Sequence, residues 1–105
     1  MNDPAMRIVL HASSPASLER ARSNAKNAAG AGERAVEVWI VVNGAAAVTS
    51  LLDQADATVD PLTWVCPNTL RGLKRQAAAP LRVLEEGAVL AIARLQQAGW
   101  HYIHA

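Results

Sequence analysis

This chain has a single cysteine and a net charge close to zero, and each of these features excludes a class of protein. Of the 105 residues only Cys66 is a cysteine, so no disulfide can form within the chain. A reducing compartment is therefore expected, or a thiol that works alone or between chains. The formal net charge of +1 gives no electrostatic basis for binding nucleic acid or an anionic membrane surface.

Long apolar runs and nucleotide-binding motifs are also missing. No run approaches the roughly 18 apolar residues that a membrane-spanning helix needs. Residues 1–4 lack the basic and apolar parts of a signal peptide, and no G-x-G-x-x-G or P-loop pattern occurs. We therefore expect a cytoplasmic protein with no membrane and no nucleic acid among its partners. Its 105 residues, about half of them hydrophobic, predict a single domain over 1–105 with a packed core.

What the chain does contain is an alternation of strand-like and helix-like segments. Short apolar or β-branched runs predict five strands, at residues 6–11, 36–42, 62–66, 81–84 and 100–104. Apolar residues at helical spacing and capping residues predict helices at 15–29, 45–54 and 87–98, and a short helix or turn near 70–74. Strands that alternate with helices indicate a parallel sheet with right-handed crossovers. The predicted fold is a three-layer α/β/α sandwich around a parallel five-stranded sheet.

Side-chain patterns predict which residues of these elements face the core. The first helix should turn an alanine-rich side to the sheet and stop at the glycines that follow: Leu18, Ala21, Ala25, Ala28 and Ala29, then Gly30 and Gly32. The last helix should bury Ala88, Val89, Ile92 and Leu95. Trp39 and Trp64 fit strand faces covered by helices, whereas Trp100 and Tyr102 fit either the core or a subunit interface.

The residues around Cys66 are the ones that suggest chemistry. The third strand stops at Pro67, which has no N–H to continue a ladder, and Asn68 and Thr69 can cap a new helix. A thiol between a strand end and a helix start feels the positive end of the helix dipole, and Arg71 adds a cation, so both favour the thiolate. The alternative is a buried, inert thiol, because free cysteine is among the most buried residue types.

Other polar residues are expected at the same edge of the sheet, where ligands of parallel α/β proteins gather. His11 is either a proton acceptor near the cysteine or a histidine satisfied by a backbone carbonyl. The Asn43-Gly44 pair can bind an anion through backbone N–H groups or form an ordinary turn. His101 and His104 are expected to share one face of the last strand. A metal ion needs a third ligand, so no metal is predicted. No cofactor is predicted either.

Four segments that together cover almost the whole chain carry a resemblance to a known family. They are the first strand with His11 and Ser13-Ser14-Pro15, then Val42-Asn43-Gly44, then Cys66-Pro67-Asn68-Thr69-Leu70-Arg71-Gly72, and last Gly87-Ala88-Val89 with Leu95-Gln96-Gln97-Ala98-Gly99-Trp100-His101-Tyr102-Ile103. In this order they resemble the small DsrE/DsrF-like proteins, which are associated with intracellular sulfur oxidation and sulfur relay.

The resemblance implies both an architecture and an activity. The architecture is the three-layer fold of flavodoxin-like appearance, assembled into homotrimers or homohexamers. In the sulfur-transfer members, a cysteine at this hinge accepts sulfur as a persulfide and passes it on, and Cys66 matches that position. Sulfur donor and acceptor proteins would be the partners. The residues that would line the pocket around the cysteine are His11, Asn43, Gly44, Asn68, Thr69 and Arg71.

Two hypotheses of function follow, and whether the protein is an enzyme stays open. The first is an intracellular sulfur carrier with Cys66 as the acceptor nucleophile. The alternative is a non-catalytic oligomeric module of the same fold that binds a small ligand or a partner and has a structural cysteine. A third hypothesis, nucleotide or flavin binding, rests on analogy of fold alone.

Overall fold

The apolar runs of the sequence form five strands, and all neighbouring strands are parallel. The computed structural model describes residues 6–29 and 36–105. The strands are β1 (Met6–Ala12), β2 (Val36–Val42), β3 (Thr63–Val65), β4 (Arg82–Val83) and β5 (His101–His104). They lie in the order β4-β3-β2-β1-β5 within one sheet. The predicted α/β class with a parallel five-stranded sheet is confirmed.

The helices follow the predicted segments, with the largest difference around Cys66. They are α1 (Pro15–Ala29), α2 (Ala45–Asp53), α3 (Pro67–Leu73) and α4 (Ala88–Gln97), and a 3-10 turn at Asp60–Leu62 precedes β3. We predicted that α3 would begin near Leu70. It begins at Pro67, because proline is well suited to the first helical position. Among the described residues, no helix combines the length and the apolar character needed to cross a bilayer.

The order of the strands explains why helices lie on both faces of the sheet. From β1 to β4 each connection moves to the next strand in the same direction, whereas from β4 to β5 the chain returns to the opposite edge. Since parallel crossovers are right-handed, this reversal puts α4 on the face opposite to α1 and α2. Two separate core clusters result, one between the sheet and α1 with α2, the other between the sheet and α4.

Small side chains bring α1 close to the sheet. Leu18, Ala21 and Ala25 are buried against β1 and β2, as predicted, and Ala28 is half-buried. The close approach depends on these alanines, because a larger side chain would hold the helix away from the strands. Some predictions for this helix lie outside what the structure describes: the inward side chain of Ala29 and the stop at Gly30 and Gly32.

Replacing Ala25 by leucine is expected to destabilise the fold by about 1–3 kcal/mol, because the longer side chain overpacks the contact between helix and sheet. Ala25 is fully buried. Chemical denaturation measures the change in the free energy of unfolding. The control is Ala16→Leu at an exposed position of the same helix, which should change stability by no more than about 0.5 kcal/mol. Equal stability of the two variants would contradict the packing described for α1.

The inward face of α4 differs in part from the prediction. Ala88 and Ile92 are buried and Leu95 is half-buried, as expected, but Val89 is 77% exposed, so its predicted burial is wrong. The buried stripe also includes Ala91, and these residues share the spacing of a single helix face. Val89 is rotated by about 100° from Ala88 around the helix axis, which turns it away from the sheet.

The last strand places its two histidines on opposite faces, contrary to the prediction. Side chains alternate along a strand, so His101 and His104 cannot share a face, whereas Tyr102 and His104 do. Trp100 precedes β5 and is buried against Trp39, with ring centroids 4.6 Å apart. Of the two interpretations considered for Trp100, the structure therefore supports the core, and Tyr102 is the aromatic residue exposed near this edge.

Candidate functional site

Cys66 lies at the carboxyl end of β3, where the sequence changes the chain from strand to helix. Its backbone is extended (φ −66°, ψ 122°), and Pro67 then opens α3. The Cys66 N–H donates to the carbonyl oxygen of Val42 at 3.0 Å, and its own carbonyl accepts from Leu70 N–H at 3.2 Å. These bonds tie the residue to both β2 and α3. The thiol therefore has a fixed position, on the α4 face of the sheet.

The Cys66 thiol is surrounded by hydrogen-bond donors. The backbone N–H groups of Asn68, Thr69 and Ala88 donate to it, and so does the Thr69 hydroxyl. Burial raises the pKa of the thiol and is the largest single effect, but the donors together outweigh it and hold the pKa of Cys66 below its ordinary value. A larger fraction of Cys66 is therefore thiolate at neutral pH than in an unperturbed cysteine.

The first residues of α3 and α4 both lie near this thiol, because these two helices follow neighbouring strands and pack on opposite faces of the sheet. The connection after β3 leads into α3, whose Leu70 packs in the cluster of α1 and α2, whereas the connection after β4 leads into α4 on the opposite face. In open parallel sheets, ligands bind at such a change of side. Gly87 leaves room for the Asn68 side chain, because a Cβ at this position would lie 2.8 Å from Asn68 Nδ2.

A turn after β2 fixes the orientation of the Thr69 hydroxyl. The Gly44 N–H donates to Thr69 Oγ1 at 3.3 Å, which leaves the hydroxyl hydrogen free to point at the Cys66 sulfur. Gly44 has φ +89°, and a Cβ there would lie 3.2 Å from the carbonyl oxygen of Ser13. The positive φ therefore favours glycine, and a Cβ would also make a tight contact. Through Gly44 the turn contacts the Thr69 hydroxyl, which is a donor to the thiol.

Replacing Thr69 by valine is expected to raise the pKa of Cys66, because valine keeps the shape of threonine and lacks the hydroxyl that donates to the sulfur. The ultraviolet absorbance of the thiolate, followed against pH, measures this pKa directly. Thr69→Ser keeps the hydroxyl and should keep the low pKa. If the valine and serine variants titrate together with the unmodified protein, the hydroxyl has no effect on the thiol.

The side chains of Arg71 and Asn68 contact each other at the start of α3. The Arg71 guanidinium donates to Asn68 Oδ1, whereas the hydrogen bonds to the sulfur come from backbone groups and from Thr69. Arg71 therefore binds the side chain of Asn68. The role that the sequence suggested for its positive charge, stabilising the thiolate, belongs to backbone donors. The effect on the thiol arises from nearby dipoles and less from a neighbouring cation.

His11, at the end of β1, organises a second polar group on the same face. Its Nε2 donates to Asn43 Oδ1 at 2.8 Å, and its Nδ1 lies within hydrogen-bonding distance of the Tyr102 hydroxyl oxygen, at 2.7 Å. An amide oxygen only accepts, so the Nε2 that faces Asn43 carries a hydrogen. His104 packs edge-on against His11, 5.5 Å between ring centroids, and lies 3.3 Å from Ser13 Oγ. Within residues 6–29 and 36–105, no three His, Cys, Asp or Glu side chains group closely enough to hold a metal ion.

Most of the predicted site residues lie in one row along the carboxyl edge of the sheet. The Asn43–Gly44 peptide joins the two groups, since Asn43 contacts His11 and Gly44 contacts Thr69. Two members of the row were missed by sequence reasoning, Ala88 and Tyr102. The acidic residues before Ala88 indicated a helix start, but nothing in the sequence placed that start beside the cysteine. The alternation of side chains along β5 would have placed Tyr102 on the same face of the sheet as His104.

A cavity of about 410 Å³ lies between α4 and the strands β3 and β4. Trp39 and Trp64 line it, with ring centroids 4.9 Å apart, and the Arg82 guanidinium carbon lies 5.4 Å from the centroid of the Trp64 ring. Leu84 lines the cavity and also packs in the cluster that contains Cys66. The volume lies within the range of pockets that bind small molecules.

Comparisons with known proteins leave the family of this chain open. No protein-family model matches the chain, and no curated protein matches it significantly. The resemblance to the DsrE/DsrF-like proteins therefore stays a prediction, and the function is argued from the geometry around Cys66.

Proposed function

We propose that this protein is an intracellular sulfur carrier that accepts a persulfide on Cys66. The observation that carries the proposal is the convergence of donors from α3 and α4 on one thiol. A persulfide acceptor must attack as a thiolate, and hydrogen bonds to the sulfur favour that form at neutral pH. The resemblance to the DsrE/DsrF-like proteins supports the same residue in the same role.

Transfer of sulfur to Cys66 needs no oxidant and no cofactor. The Cys66 thiolate attacks the outer sulfur of a donor persulfide, and a new S–S bond forms to Sγ. The S–S bond of the donor breaks, and its electron pair leaves with the donor thiolate. When the sulfur is passed on, Cys66 is itself the leaving thiolate, so the same hydrogen bonds assist both steps.

The proposal includes the partners and the setting of the protein. Sulfur donor and acceptor proteins are the partners, and the cytoplasm is the location, because a lone thiol stays reduced there. Assembly into a homotrimer or homohexamer follows from the resemblance. The exposed side chains of Tyr102 and Ile103 on the last strand support assembly, since they leave apolar surface for another subunit to cover.

A carrier must release its sulfur as well as accept it, and the released sulfur can be counted. Protein loaded by a persulfide donor and freed of excess donor is mixed with cyanide, which takes up the outer sulfur as thiocyanate. We expect thiocyanate in equal amount to the protein chains, and none from Cys66→Ser. Equal yields from the two proteins would show that the sulfur is bound elsewhere and would reject the carrier proposal.

Specific observations also favour the alternative, a non-catalytic module that binds a small ligand or a partner and has a structural cysteine. Cys66 is only 5% exposed, and it packs with Val9 and Val41. The cavity lined by Trp39 and Trp64 offers a ligand site that does not need the thiol. Under this alternative, Cys66 neither loads sulfur nor reacts with alkylating agents until the protein unfolds.

A further inference from the structure

The outer edge of β5 has the properties of a strand that pairs with another chain. Among the described residues, β5 pairs only with β1, and each of its side chains is exposed. The strand has no proline, lysine or acidic residue, which are the usual protections of an open edge. The opposite edge is protected, because β4 has only two residues, one of them Arg82.

The main-chain groups that face outward from this edge belong to Tyr102 and His104. Ala105 N–H donates to the carbonyl oxygen of His11 at 2.9 Å, so the groups of Ala105 point towards β1. Backbone direction alternates along a strand in a parallel pair, so Ile103 also points towards β1. The N–H and C=O groups of Tyr102 and His104 therefore point away from the sheet, and no strand within residues 6–29 and 36–105 pairs with them.

These outward groups are self-complementary about a twofold axis. If the axis passes beside Ile103, perpendicular to the sheet, β5 of a second copy runs antiparallel and Tyr102 of each copy lies opposite His104 of the other. Residues that lie opposite as a hydrogen-bonded pair exchange both of their bonds. This register therefore uses every outward N–H and C=O of Tyr102 and His104 in both copies. If the register is shifted so that Tyr102 lies opposite Tyr102 of the other copy, His104 lies opposite Trp100, which is outside β5.

The side chains agree with the same register. Ile103 is 43% exposed and would face Ile103 of the second copy across the axis, on the α1 side of the sheet. An apolar cavity of about 190 Å³ beside it, lined in part by Ile8, Leu10 and Ala28, would be covered by the paired strand. On the other side of the sheet, Tyr102 and His104 would form cross-strand pairs of an aromatic ring with an imidazole.

We propose that β5 pairs with β5 of a second copy of this chain to form one continuous sheet across a twofold axis. The contact is independent of any chemistry at Cys66. A twofold contact forms a dimer, and it also occurs within a hexamer of three dimers, but a plain trimer does not contain it. Of the homotrimer and the homohexamer that the family resemblance implies, the proposal is compatible only with the hexamer. It is also compatible with a simple dimer.

Particle mass in solution tests the contact. Light scattering behind a sizing column should give at least twice the chain mass of 11.1 kDa, and Ile103→Lys should reduce the dimer, or the hexamer, to a smaller species. Val83→Lys is the matched control, because Val83 is also on an edge strand and is 42% exposed. It should leave the mass unchanged. A monomer or a plain trimer for the unmodified protein overturns the proposal, and so does equal behaviour of the two lysine variants.

Disulfide trapping tests the register of the paired strands. In a Cys66→Ser background, Ile103→Cys places a thiol opposite its own copy, at a Cα separation of about 4.5 Å that suits a disulfide. We expect mild oxidation to convert most chains to a covalent dimer. His101→Cys is the control, because the two copies of this residue would lie about 13 Å apart along the strands. Cross-linking that is absent in both variants, or equal in both, contradicts the register.

Discussion

Native protein treated with a small persulfide donor at neutral pH is expected to gain the mass of one sulfur atom per chain, and Cys66→Ser is expected to gain none. The expected effect is complete because the chain has no second cysteine. The physical reason is the set of donors around the thiol, which keeps part of Cys66 as thiolate despite its burial. Intact-mass spectrometry measures the added sulfur, and reduction should remove it.

The Thr69 variants provide the matched controls for this loading. Thr69→Val should load more slowly than the unmodified protein at neutral pH, because a raised pKa leaves less thiolate, and Thr69→Ser should load normally. A native protein that gains no sulfur, and gains it readily in denaturant, would contradict the carrier function. It would support the binding module with a structural cysteine.

Asp60→Ala is expected to be the most destabilising single change among those considered, at about 3–5 kcal/mol. Asp60 Oδ1 lies 3.3 Å from Arg22 Nη2, and the side chains are only 4% and 12% exposed. Asp60 Oδ2 also accepts from Asp56 N–H at 2.9 Å. Removing the carboxylate leaves the half-buried guanidinium charge of Arg22 without this partner, and it leaves the Asp56 N–H without its acceptor. Urea denaturation measures the change in the free energy of unfolding.

An exposed ion pair gives the control for this change. Asp53 contacts Arg75 at 2.9 Å with both side chains well exposed, so Asp53→Ala should cost no more than about 1 kcal/mol. If the two alanine variants are equally stable, the Arg22–Asp60 pair does not contribute to stability as its burial suggests.

The layered architecture could be predicted because local signals in this chain agree with one another. The runs that form β1 and β2 are almost continuously apolar, as strands covered on both faces must be. The alanines of α1 lie at helical spacing, so they identified the side that packs on the sheet. Gly44 and Pro67 marked the ends of β2 and β3, because each residue has backbone properties that interrupt a strand.

The parts that could not be predicted depend on contacts between distant segments. Val89 was expected inside because it is apolar, but only the position of α4 over the sheet decides which stripe is covered. Ala88 donates its backbone N–H to Cys66. Almost every residue type has a backbone N–H, so the sequence does not identify which residue donates. The partners of His11 come from β2 and β5, and their proximity depends on the order of the strands.

The pH dependence of Cys66 alkylation tests most directly whether this site holds a thiolate. Only the thiolate reacts, so the rate rises with pH through the pKa of the group. The pKa is lowered in the folded protein, so the rate for native protein should reach its midpoint at lower pH than the rate for the same chain in denaturant. A native midpoint equal to or above that of the unfolded chain, or no reaction until unfolding, would contradict the account.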